Sequence, residues 1–113
     1  MTQSESVINW QIINSLADDQ ESRTAIINSF IESFESDLVQ FLKAKASNDQ
    51  EQLLTVAHTI KGAASNFCEP FVVEQIHMIE SNYKEGSFDN IDQDAKIITE
   101  VINRIIDEFK NKL

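Results

Sequence analysis

Only two glycines and one proline interrupt the 113 residues of this chain. Its apolar residues recur three and four apart, with no sustained alternation of period two. A chain so poor in turn-formers and so regular in helical spacing has few folds open to it. Long amphipathic helices joined by short loops are the natural outcome. The same scarcity excludes functions. A Walker loop or a dinucleotide fingerprint needs several glycines to bring backbone N–H groups close to phosphate, and neither pattern is present. Any phosphate chemistry must therefore draw its phosphoryl group from another protein.

The spacing predicts five helices. A short one covers Glu5 to Leu16, with Val7, Ile8, Ile12 and Ile13 as its apolar side. Asp18, Asp19 and Glu21 read as the cap and acidic first turn of a second helix reaching about Ala46. Ser47, Asn48 and Asp49 punctuate the chain before a third helix that runs to about Phe67, with Leu53, Ala57, Ile60, Ala64 and Phe67 as its stripe. Glu69-Pro70 restarts the chain in a fourth helix carrying Val72, Ile76, Ile79 and Tyr83, and Gly86 is placed to terminate it. Beyond Ser87 to Asn90 a last helix carries Ile91, Ala95, Ile98, Ile102, Ile105 and Phe109. The expected fold is all-α: an antiparallel up-down four-helix bundle with a short additional N-terminal helix capping one end, one domain over residues 1–113. Trp10 and the seven phenylalanines read as core and cap, with Trp10 also a candidate for a partner surface.

Charge narrows the partners. Nine basic residues against nineteen acidic ones give a net charge of −10, which nucleic acid and anionic membranes repel. Protein partners remain. The polar, acidic segment from Met1 to Val7 has no apolar stretch behind it, so no signal peptide is expected. No run approaches the roughly 18 apolar residues of a membrane span. One cysteine, Cys68, forms no internal disulfide and reads as a small packing residue. A cytoplasmic monomer is expected.

The third helix holds the chemistry, in Ala57-His58-Thr59-Ile60-Lys61-Gly62-Ala63-Ala64-Ser65. His58 follows core residue Ala57 by one position, about 100° around the helix, and so belongs at the edge of the buried stripe. Lys61, three residues on, shares its face. Gly62 costs about 1 kcal/mol relative to alanine in mid-helix. A bare backbone there answers either close helix packing or the approach of a partner. A neutral imidazole has one free lone pair with which to attack phosphorus, and a lysine offsets the charge of incoming phosphoryl oxygens. If the third and fourth helices fold back at Cys68-Glu69, His58 and Glu80 lie at matching distances from the turn, each roughly 15 Å along its helix. Glu80 follows core residue Ile79 as His58 follows Ala57. Its carboxylate is then placed to accept the Nδ1–H bond and leave Nε2 free.

His58-Thr59-Ile60-Lys61-Gly62 resembles the His-x-x-Lys-Gly signature of histidine phosphotransfer (HPt) domains, and the helix count and the Ile79-Glu80 pair extend the resemblance over the whole chain. It implies phosphorylation at His58, assisted by Lys61 and Glu80, with Gly62, Ser65 and Leu54 on the docking surface. The implied partners are the receiver domains of a hybrid sensor kinase and of a response regulator. No kinase activity and no resident cofactor are implied, since Mg2+ belongs to the receiver. Cys68 stands where many relatives carry a second glycine, a departure expected to alter the end of the third helix. Two other readings are open: a bundle that binds receivers without carrying phosphate, and a metal enzyme. The metal reading rests on Glu74-x-x-His77, half of a di-iron motif whose second copy fails at Thr55. Otherwise His77 reads as a surface imidazole.

Overall fold

The computed structural model describes residues 5–113, so the first four residues of the polar N-terminal segment lie outside it. Five helices follow one another: α1 Trp10–Ser15, α2 Gln20–Ala46, α3 Gln50–Ser65, α4 Pro70–Lys84 and α5 Ile91–Asn111. The four long ones form an antiparallel bundle, with α2 against α3 and α5, and α4 against α3 and, less extensively, α5.

Local chemistry sets the boundaries. The Asp19 side chain accepts from Ser22 N and that of Asp49 from Gln52 N, capping α2 and α3. Pro70 occupies the first turn of α4, where no intrahelical N–H is needed. Gly86 takes a φ of 82°. Its N–H donates to Tyr83 O and that of Ser87 to Asn82 O, which together close α4 in a Schellman motif. Asn48 does the same for α2 at a φ of 54°, with Asn48 N bonded to Lys45 O and Asp49 N to Ala44 O.

The core is one cluster. Phe34, Phe41, Phe67 and Phe109 are fully buried with isoleucines from α3, α4 and α5. Phe71, on the outer side of α4, is exposed and departs from the expectation that every phenylalanine packs inside. Buried polar groups are few: Asp37, Glu80 and Asp94. The Tyr83 hydroxyl donates to Asp94 Oδ2 at 2.9 Å inside the bundle.

Two sequence-based boundaries are corrected. The first helix begins at Trp10, not Glu5, because Val7 and Ile8 are buried and pair through their backbone with the α3–α4 turn. Ile8 bridges Cys68 in antiparallel fashion, with Asn9 N donating to Phe67 O and Glu69 N to Val7 O. Those bonds occupy backbone that a longer helix would need for itself. At the other strand of the bridge α3 stops at Ser65, two residues early. Cys68 has no positive φ, so its backbone does not call for a glycine. Burial, with Glu108 and Glu69 adding to it, pushes its thiol up to about 12. Glu108 fastens the N-terminal strap to α5 by accepting from Val7 N at 2.9 Å, Trp10 Nε1 at 2.6 Å and the Ser6 hydroxyl. Trp10 is half-buried, edge-on to Phe109 and beneath the Lys112 ammonium.

Candidate functional site

The α3–α4 hairpin brings His58 and Glu80 level. His58 Nδ1 lies 2.6 Å from Glu80 Oε2. A carboxylate only accepts, so Nδ1 carries the hydrogen, and in the neutral ring Nε2 carries the lone pair. Glu80 is 1% exposed, whereas the His58 side chain is 64% exposed. Among the described residues nothing bonds Nε2, which leaves it open to an incoming group.

Two ammonium groups reach the same carboxylate. Lys61 Nζ lies 3.2 Å from Glu80 Oε1, an ion pair off the line of a hydrogen bond. Lys84 Nζ lies 3.4 Å from Oε2, the oxygen that already holds His58. Burial pushes the Glu80 carboxyl up, but the His58 hydrogen bond, Lys61 and Lys84 together outweigh it and hold the group below its ordinary value. Glu80 is thus a buried anion with cationic neighbours.

Leu54, Gly62 and Ser65 stand at i−4, i+4 and i+7 from His58 and so share its side of α3. Gly62 is exposed, and a Cβ built on it meets nothing within 4 Å. Helix crowding therefore does not explain the glycine. Ser65 is exposed with its hydroxyl turned back to Lys61 O, and Leu54 is half-buried against the core. His77 is exposed, its Nε2 3.4 Å from Ser81 Oγ. Among the described residues no group of three or more His, Cys, Asp or Glu side chains is placed to hold a metal ion. Nor is any described helix long and apolar enough to cross a membrane.

The sequence spacing allows Glu80 to pair with Lys84 at i, i+4 as well as with His58 across the hairpin; the structure has both. It gave no sign of Asp94 or Glu108, whose partners Tyr83, Val7 and Trp10 lack any local spacing relation to them.

A family model described as the Hpt domain matches residues 25–111, from the body of α2 to the end of α5. The chain therefore belongs to the Hpt family, the histidine phosphotransfer domains of phosphorelays. No curated protein matches it significantly. Among solved structures it is similar to histidine-containing phosphotransfer protein B (HptB) from Pseudomonas aeruginosa PAO1, at 18% identity and a TM-score of 0.83 over 96% of each chain. At that identity the likeness is one of fold.

Proposed function

We propose that this protein accepts a phosphoryl group on Nε2 of His58 from the aspartyl phosphate of a receiver domain and passes it to the receiver of a response regulator. The observation that carries this reading is the 2.6 Å contact between His58 Nδ1 and buried Glu80, made by a ring that is largely open to solvent. In the transfer the Nε2 lone pair attacks phosphorus. A P–N bond forms as the P–O bond to the aspartyl carboxyl breaks, and aspartate leaves as carboxylate. The ring keeps its Nδ1 proton, and Glu80 offsets the positive charge that develops there. Lys61 adds positive charge beside the ring, and Mg2+ is supplied by the receiver. Gly62, Ser65 and Leu54 form part of the surface on which the receiver rests, and the open space over Gly62 favours close approach there.

The test is direct. A phosphorylated receiver domain should label this protein in an acid-labile, alkali-stable form, and His58→Ala should abolish the label. Unchanged labelling of that variant would defeat the assignment. Receiver binding with no phosphohistidine at any pH would instead favour a docking module that carries no phosphate.

A further inference from the structure

Two lysines serve one carboxylate, and their positions are not equivalent. Glu80 Oε2 has two partners, His58 Nδ1 and Lys84 Nζ. Oε1 is buried, makes no hydrogen bond and has the Lys61 ammonium alone beside it. If Lys84 withdraws, each oxygen retains a partner. If Lys61 withdraws, Oε1 is left a buried anionic oxygen with nothing opposite it, which is costly. Exposure follows the same order: the Lys61 side chain is 24% exposed and that of Lys84 59%. Lys84 is the ammonium free to leave.

Its position suits a destination at the ring. Lys61 lies one turn beyond His58 on α3, and Lys84 one turn beyond Glu80 on α4. The two helices run antiparallel, so these turns point in opposite directions and the lysines flank the His58–Glu80 pair from either end. Lys84 Nζ and His58 Nδ1 already meet at one oxygen atom, which puts the ammonium within a side-chain rotation of groups bound on the outer edge of the ring.

We infer that the two lysines divide the work: Lys61 stays on Glu80 and keeps the imidazole aligned, while Lys84 leaves Glu80 to neutralise the phosphoryl oxygens on His58 Nε2. This rests on the phosphotransfer reading above. Before transfer, one carboxylate and two ammonium groups leave the cluster with excess positive charge. The arriving phosphoryl group brings roughly two negative charges, and on this chain a cation that Glu80 can spare is placed to meet them. Lys84 thus acts on the transferred group, and Lys61 becomes a positioning residue.

A small phosphodonor separates this from any part Lys84 plays in receiver docking. The wild type, Lys84→Gln, Lys84→Arg and Lys61→Gln are incubated with potassium phosphoramidate, and phosphohistidine is followed by 31P NMR, with labelling of His58→Ala subtracted to remove His77. Loss of one charge-assisted contact in the transition state slows Lys84→Gln about tenfold, and Lys84→Arg stays within about twofold of wild type. Imidazole 15N shifts should show the Nδ1–H tautomer retained in Lys84→Gln and weakened in Lys61→Gln. Equal rates for Lys84→Gln and wild type overturn the inference, and so does loss of the tautomer in Lys84→Gln, which would make Lys84 a holder of Glu80. A wild type that neither phosphoramidate nor a phosphorylated receiver labels would instead overturn the phosphotransfer reading itself.

Discussion

Glu80 is the residue on which the site turns, and its charge is a matter of balance. A buried carboxylate survives only where its partners outweigh the loss of water, and here an imidazole N–H and two ammonium groups do so. Because its folded-state value lies below the ordinary 4.5, the stability it contributes is fully present above that value and is lost as pH falls through the lower one. The difference in urea midpoint between wild type and Glu80→Gln should therefore shrink on acidification from about pH 6 to about pH 3; a constant difference would contradict the pairing. Asp94 has the opposite sign. Burial raises its carboxyl, and the Tyr83 hydrogen bond only partly compensates, so its contribution is greatest below the ordinary 3.8 and declines as pH rises through the folded value. Tyr83→Phe leaves that carboxyl without its donor and should cost about 1–3 kcal/mol by thermal or urea melting. His58 and Glu80 were legible in the sequence because each follows a core residue by one position and both stand equally far from one turn. Tyr83 and Asp94 were not: tyrosine and isoleucine are interchangeable in an apolar stripe, and nothing in the spacing marks a hydroxyl that meets an acid across the core.

Among the elements, α3 and α4 carry a contrast between stability and function. Gly62 lies mid-helix with open space around it, so Gly62→Ala should gain up to about 1 kcal/mol in stability. A larger side chain such as Gln at the same place should weaken receiver binding without unfolding the protein, as read by calorimetric titration. Gly86 is the reverse case. It holds a φ of 82° at the end of α4, and Gly86→Ala should cost about 1 kcal/mol in the melting curve because a Cβ disfavours that backbone. Four long helices were readable because their apolar residues keep a strict three-four spacing and because Asp19, Asp49, Pro70 and Gly86 punctuate them. The N-terminal segment misled for a physical reason. Val7, Ile8, Ile12 and Ile13 have helical spacing, yet the first two are buried through backbone pairing with residues about sixty positions away, which no local pattern records.

Across the whole molecule, Glu108 ties the chain's beginning to its last helix. One carboxylate accepts from Val7 N, Trp10 Nε1 and the Ser6 hydroxyl, and Glu108→Ala leaves all three donors without their acceptor at once. Hydrogen bonds to a charged group contribute about 1.5–3 kcal/mol each in favourable settings. The variant should melt earlier and show red-shifted Trp10 fluorescence as the strap loosens, while the phosphoramidate labelling of His58 at low temperature is retained. A variant with unaltered Trp10 emission would mean that the strap holds without Glu108.

The pairing of Ile8 with Cys68 also orders events during synthesis. The hairpin that aligns His58 with Glu80 is local and is complete once α4 has been made, so it is free to assemble early. The strap waits longer. Its fastening residue, Glu108, lies in the last turn of α5, and until that turn has left the ribosome Val7 and Ile8 have a strand partner but no clasp. The His58–Glu80 pair is thus formed before the end of the bundle is sealed, and nascent chains halted short of Glu108 should already show slow amide exchange at Ile60 and Ile79 while Asn9 exchanges freely.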